Sequence, residues 1–217
     1  MANQKMISIR DYQILAILNT LVVIYMVFGT ITFQKLINIH GYSISIASVW
    51  FSLLTFPVTD VICNEFEKKY ARFAVLLGWL AMILTSIMAK ISAFIPPSES
   101  FLIHEKSFDF LMNNSIRFVI IVTFSYLISQ LVDIQIFHLI KKITHDKYLW
   151  LRNNISTIIS QTVNSFIFVF GLFFGIVSFS NIFHIFLSTV LLKIIIAFLD
   201  TPLVYLGVYL VRKYRDP

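Results

Sequence analysis

Four ionisable side chains, Asp60, Asp133, Lys193 and Asp200, lie inside otherwise apolar stretches of this 217-residue chain. A charged residue at the centre of a bilayer-crossing helix costs about 2.5–3.5 kcal/mol. Such residues therefore pair with one another, face a water-filled cavity, or handle a ligand or a proton. Lys193 and Asp200 are seven residues apart, which puts them on one helix face but about 10 Å apart along the axis. That is too far for a direct pair, so each needs a partner on another helix.

Neutral polar residues follow helical faces as well. Gln130, Asp133 and Phe137 fall at i, i+3 and i+7, and Thr157, Gln161 and Asn164 at i, i+4 and i+7. An apolar helix turns such a stripe away from lipid, towards a protein interior or a pore. The plain alternative is that amides and hydroxyls hold transmembrane helices together; that suits Thr157 or Gln161 alone, whereas Asp133 beside Gln130 points to function. Two prolines adjoin the acids. Pro57 removes the backbone bond to residue 53, and Pro202 removes that to Phe198, so both are expected to free carbonyls next to a buried carboxylate.

Other chemistry is poorly supported. His40, His104, His138, His145 and His184 are scattered, with no metal-binding spacing. The chain has no GxSxG, phosphate-binding loop or dinucleotide fingerprint, and no nucleophile with a base, so neither an enzyme nor a cofactor is expected. One cysteine, Cys63, allows no internal disulfide.

The elements that carry these residues follow from composition. The chain is 58% hydrophobic and 13% charged with 22 phenylalanines, and its mean hydropathy is +0.84. A soluble domain has about a quarter charged residues. Six stretches reach the roughly 20 apolar residues that cross a bilayer, near 12–34, 44–64, 70–94, 116–140, 154–178 and 182–211. The expectation is an all-α polytopic membrane protein, one integral domain over 1–217, with the first span retained because no cleavage site follows it. With the N-terminus inside, twelve Lys and Arg fall on the cytoplasmic side, Arg152 among them, against four outside. Both termini are thus expected in the cytoplasm. The net charge of +6 reflects topology, and no direct nucleic-acid partner is expected beyond the lipid bilayer itself.

Each even-numbered span holds an aspartate before a basic exit: Asp60 before Lys68-Lys69, Asp133 before Lys141-Lys142, and Asp200 before Arg212-Lys213. The chain reads as three helical hairpins in a weak pseudo-repeat. Both Asp60 and Asp133 would lie about 12 Å inside the anchors, near the midplane. The connection near 95–115, with Pro96-Pro97, reads as an outward linker rather than a cap.

Several of these residues also resemble the motifs of the queuosine precursor transporters, formerly grouped as vitamin-uptake transporters. Phe56-Pro57-Val58-Thr59-Asp60 with Ala71-Arg72 is similar to their second-helix motif, and Gln130-Leu131-Val132-Asp133 with Phe137 to their fourth. Trp150-Leu151-Arg152-Asn153-Asn154 with Ser156-Thr157 resembles the start of their fifth helix, and Lys193, Thr201-Pro202 and Tyr205 their sixth. The fragments keep their order over about residues 50–210. Three positions depart: Glu67 stands where glycine is usual, Asn64 where glutamate is frequent, and Asn164 where aspartate is frequent.

The resemblance implies a bacterial inner-membrane importer of 7-cyano- or 7-aminomethyl-7-deazaguanine, or queuine, feeding queuosine modification of tRNA. One carboxylate, Asp60 or Asp133, can accept both N–H groups of a guanine-like edge. Gln130, Gln161 and Asn164 suit its carbonyl and its N7-side substituent. Phe56, Phe137 or Trp50 could stack on the ring, and Lys193 would balance charge or meet the carbonyl, with Asp200 in the same substrate-binding set. A competing reading makes the chain a substrate-capture subunit for a vitamin-like heterocycle that requires a separate ATP-driven energy module. A third treats it as a scaffold whose acids are structural. The sequence leaves open which deazapurine is carried, whether protons are coupled, and whether the chain forms a homo-oligomer, as no clear GxxxG motif marks a dimer face.

Overall fold

The computed structural model describes residues 8–33, 35–39, 42–113 and 116–215. It is helical apart from a small antiparallel hairpin. Helix α1 (Ile9–Thr32) opens with a capping box in which Ser8 and Asp11 exchange hydrogen bonds, satisfying first-turn donors that would otherwise lack partners. Strands β1 (Leu36–Ile39) and β2 (Tyr42–Ser45) follow, with Ile37 opposite Ile44. Next come α2 (Ile46–Trp50), a π-helical turn (Phe51–Thr55) and α3 (Phe56–Glu65). Beyond them lie α4 (Lys68–Phe94), a 3-10 turn (Glu99–Phe101), α5 (Glu105–Met112), α6 (Ile116–Ile143), α7 (Leu149–Phe173) and α8 (Phe179–Arg215).

Helices α1, α4, α6, α7 and α8 are each long and apolar enough to cross a membrane. They correspond to the first, third, fourth, fifth and sixth expected spans. The second, expected near 44–64, is not one continuous α-helix: residues 44 and 45 belong to β2, and the rest runs through α2, the π turn and α3. Pro57 is the physical reason. It offers no N–H to the preceding turn, and it stands in the first turn of α3, where a helix does not require one. Pro202 acts differently, because α8 continues through it without interruption.

Two other expectations change. The 95–115 connection is more than a linker, since the 3-10 turn and α5 occupy it and α5 packs back on α4 and touches α1. Helix α7 starts at Leu149, five residues before the expected 154, so Arg152 belongs to a helix rather than a loop. The turn before it holds His145, Asp146 and Tyr148 in left-handed conformations (φ 48°, 65° and 58°), a geometry that reverses the chain within a few residues. Glu67, by contrast, has an ordinary extended backbone (φ −73°, ψ 152°), so glutamate is accommodated there without strain.

The packing is inverted relative to a soluble protein. Large apolar side chains such as Leu80, Ile91, Phe124, Leu191 and Leu206 are exposed on the outer faces, whereas Asp60, Gln130, Asp133, Asn153, Ser160 and Asp200 are fully buried. An exterior of this kind is stable only in hydrocarbon. Close approach inside depends on small residues. A Cβ on Gly207 of α8 would lie 2.6 Å from Val61 of α3, and one on Gly78 of α4 would lie 2.9 Å from the Tyr126 hydroxyl of α6. Helix α1 packs less tightly on its other side. There an apolar gap of about 420 Å³, lined by Ile17, Leu21, Leu54, Pro57, Leu203 and Leu210, separates it from the π turn, α3 and α8.

Candidate functional site

The buried polar side chains form successive tiers between α3, α6, α7 and α8. In the central tier the Asp60 carboxyl of α3 lies within hydrogen-bonding reach of that of Asp133 on α6, with Asp200 of α8 nearby. Asp133 Oδ1 accepts a hydrogen bond from Ser160 of α7 at 2.8 Å. The Thr59 hydroxyl donates to the carbonyl of Phe56 at 2.9 Å and lies 3.4 Å from Gln130 Oε1. Towards the basic end, Asn153 donates to Asp200 Oδ1 at 3.1 Å, and Asn154 donates to the Thr201 hydroxyl at 3.0 Å.

On the other side of the central tier, the Lys193 ammonium donates to Asn164 Oδ1 at 2.6 Å, and Asn164 Nδ2 donates to Ser129 at 3.3 Å. This pair borders a cavity of about 60 Å³ lined also by Phe56, Tyr126, Gln161 and Phe168. Ligand pockets run to several hundred Å³, so the space is closed to a fused bicyclic molecule in this conformation. Lys193 and Asp200 thus take separate partners on α7, as their spacing requires. Asn164 accepts from Lys193 as a neutral amide where an aspartate would have formed an ion pair.

Many of these polar atoms lack a partner among the described residues. The Asp60 carboxyl has only that of Asp133 within hydrogen-bonding reach, and Oδ2 of Asp200, Oδ1 of Asn153 and Nε2 of Gln130 have no partner. Buried polar groups are normally hydrogen-bonded, and leaving one unpaired costs about 1–3 kcal/mol. Such a concentration in one place leaves a polar surface that protons shared between the acids, water or a ligand would complete.

The basic end is built differently. Arg152, only 2% exposed, pairs with Asp146 at 2.6 Å and donates to Asn64 Oδ1. Its guanidinium also lies over the Phe137 ring, 5.3 Å from the centroid. Lys141 donates to the Asn64 carbonyl at 2.8 Å. Glu65 pairs with Arg212 at 2.9 Å and Arg215 at 3.1 Å, and Arg215 pairs with Asp11 at 2.8 Å. The ends of α1, α3, α6, α7 and α8 are thus tied together at one pole. At the opposite pole Arg117 links α6 to α7 through the carbonyls of Gly171 and Phe174.

Of the residues singled out in the sequence, Asp60, Gln130, Asp133 and Asp200 are gathered in and around the central tier, and Gln161, Asn164 and Lys193 around the small cavity. Phe137 is fully buried beneath Arg152 and away from that cavity. Residue-by-residue reading of the polar stripes did not bring out Asn153, Ser160 or the interior position of Arg152. Extending the α7 stripe backwards would have found them, because Asn153, Thr157, Ser160, Gln161 and Asn164 share the i, i+3/i+4 spacing. Arg152 and Asn64 lie next to loops, where a polar residue reads as solvated.

These features define a class: a multi-pass membrane protein with a lipid-facing exterior and an incompletely paired polar interior. The chain belongs to the family described as "Putative vitamin uptake transporter", which matches residues 45–207. A relative from Bacillus subtilis (strain 168), "Probable queuosine precursor transporter", is 30% identical over 173 residues, covering 79% of this chain and 74% of the relative. The chain is accordingly a bacterial membrane protein of a transporter family. No solved structure matches it.

Proposed function

We propose that the chain imports queuosine precursors, 7-deazaguanines or queuine, across the bacterial inner membrane to supply tRNA queuosine modification. It works as one integral unit of six crossings with both termini in the cytoplasm. The second crossing is the α2–π–α3 run, which at about 1.5 Å per residue spans roughly 30 Å. In this reading the basic pole is the cytoplasmic one, consistent with the excess of Lys and Arg there.

One observation carries the proposal: the fully buried Asp60 meets, among the described residues, no hydrogen-bond donor other than the Asp133 carboxyl beside it. A guanine-like edge presents two adjacent N–H donors, at N1 and N2, and needs two acceptors side by side. Asp60 offers both, whereas Asp133 has already given Oδ1 to Ser160, so Asp60 is assigned to the ring edge. Gln130, Gln161 and Asn164 present amides to the carbonyl and the N7-side substituent. Phe56 supplies a ring at the cavity wall, and Lys193 meets the ligand carbonyl or balances the acids. Because the cavity is now smaller than the substrate and the basic pole is tied shut, loading requires the opposite pole to open, and release requires the tied pole to open.

The test is restoration of tRNA queuosine in cells lacking both precursor synthesis and their own transporter, with each precursor supplied in turn. Restoration by the parent and its loss with Asp60→Asn at equal membrane abundance is the expected result. No restoration with any precursor, despite full insertion, would overturn the reading. Uptake by the purified chain in liposomes would further show that no separate ATP-driven module is needed.

A further inference from the structure

The small cavity beside Lys193 is roofed by phenylalanines on the side away from the basic pole. Phe33, the residue that follows the last turn of α1, packs edge-on against Phe118 of α6, with ring centroids 4.7 Å apart, and at a tilt against Phe168 of α7, at 5.8 Å. Phe33 and Phe168 line the cavity together with Met82 of α4 and Val122 of α6. Phe33, Met82 and Val122 also line a second space, a crevice of about 10 Å³ that they share with Thr30, Ser86, Phe118 and Thr123. That is room for about one water. The same three side chains thus face both spaces, and the partition between them is one side chain thick. Three helices contribute hydroxyls to the crevice: Thr30, Ser86 and Thr123 each donate to a carbonyl one turn back on their own helix. A hydroxyl that donates once still accepts, so the crevice presents acceptors to a polar solute at the edge of an apolar partition.

The three rings are anchored unequally. Phe118 and Phe168 stand on α6 and α7, which are joined at this pole. Arg117, next to Phe118, donates to the carbonyls of Gly171 and Phe174 at 2.7 and 2.9 Å, and a Cβ on Gly171 would lie 3.0 Å from the Ile121 side chain. Parting these helices would break charge-assisted bonds and a close backbone approach. Phe33 stands past the end of α1, whose own close approach, Val22 and Met26 against Gly78 of α4, lies about two turns deeper. Rotation of its ring, or unwinding of the last turn of α1, would withdraw it while α6 and α7 stay joined. Resting on the import reading above, we propose that Phe33 is the movable stopper of the outward entrance and that Phe118 and Phe168 are its fixed frame. When Phe33 leaves, crevice and cavity become one passage down to Gln161, Asn164 and Lys193. A planar heterocycle entering from outside restores the ring contacts that Phe118 and Phe168 lose, whereas a solute without a ring does not.

A cysteine reporter tests the stopper without any substrate. Ser125 lines the cavity beneath the partition and is 2% exposed. With Ser125→Cys in a Cys63→Ser chain, a membrane-impermeant thiol reagent added to intact cells should label slowly. Phe33→Ala should raise that rate by about tenfold, the weight of two ring contacts, and Arg117→Ala should raise it less. A rate unchanged by Phe33→Ala, or raised as much by Arg117→Ala, would overturn the proposal. A second arm reads precursor uptake in liposomes. A short cleavable crosslink between Phe33→Cys and Phe118→Cys should stop uptake, and cleaving it should restore uptake. A disulfide between Ile121→Cys and Gly171→Cys should leave uptake in place, because α6 and α7 do not part. Uptake that continues with the first pair joined, or stops with the second, would overturn the stopper while leaving import intact. Failure of the parent to take up any precursor would overturn the import reading, and the labelling arm would still decide on the stopper.

Discussion

The basic pole and the central tier are both rich in buried polar groups, but they treat them in opposite ways. At the pole the charges find partners: Arg152 has Asp146 and Asn64, Glu65 has Arg212 and Arg215, and Asp11 has Arg215. A few turns away, Asp60 meets a second acid, Asp133, and no basic or amide donor among the described residues. An interior selected only for stability would replace such an acid pair by apolar side chains, since burying carboxyl groups is costly whether or not they share a proton. The contrast separates residues that hold helices together from residues that wait for something else.

That separation can be broken by substitution. Asp60→Asn should lower uptake at limiting substrate by about thirtyfold or more, the loss of a charge-assisted two-point contact, with membrane abundance held or raised. If abundance falls in parallel with uptake, the central acids are structural like those of the pole. Arg152→Ala should show the reverse pattern. A lower thermal midpoint, by roughly 5 °C or more, is expected together with faster labelling of the buried Cys63 by a thiol reagent, because Cys63 adjoins the Asn64 that Arg152 holds. An unchanged midpoint and a protected Cys63 would show that the pole is not held by Arg152.

Gly207→Val places side-chain atoms where Val61 already stands within 2.6 Å of the added Cβ. It should cost about 1–3 kcal/mol by overpacking, read as a lower thermal midpoint with uptake per inserted molecule preserved. The smallest effect is expected for Glu67→Gly. Glu67 meets exposed Lys69 at 3.0 Å, and exposed pairs contribute little, so uptake and melting should both stay within error. A clear change in either would mean that this departure from the family pattern carries a role of its own.

Much of this arrangement was legible in the sequence, because membrane crossing imposes simple rules. Runs of apolar residues gave α1, α4, α6, α7 and α8 to within a few residues. The cost of burying charge singled out Asp60, Asp133, Lys193 and Asp200, which the fold does gather inside. The π turn was not legible, since a proline announces a disturbed backbone without saying whether it kinks, widens or passes unbroken, as Pro202 does in α8. Arg152 was misplaced because charge beside a loop is normally solvated; here a left-handed turn starts α7 early and carries the guanidinium inside. Pairing between helices distant in sequence, such as Asn153 with Asp200, leaves no trace in local spacing.

The apolar gap beside α1 has a dynamic meaning. Where two helices mesh side chain into side chain, sliding one past the other sacrifices contacts that nothing replaces. Where hydrocarbon tails fill the space between them, the tails are as apolar as the leucines they touch and re-form around either position. Helix α1 meets α3 and α8 around Ile14, near the basic pole, and parts from them beyond it, so with acyl chains in the gap the friction opposing motion of that part would belong to the bilayer rather than to the protein. Turnover that uses this motion would quicken with unsaturated, fluid chains and slow in ordered ones, so the acyl composition of the host membrane would set the tempo of a machine whose selectivity is fixed elsewhere.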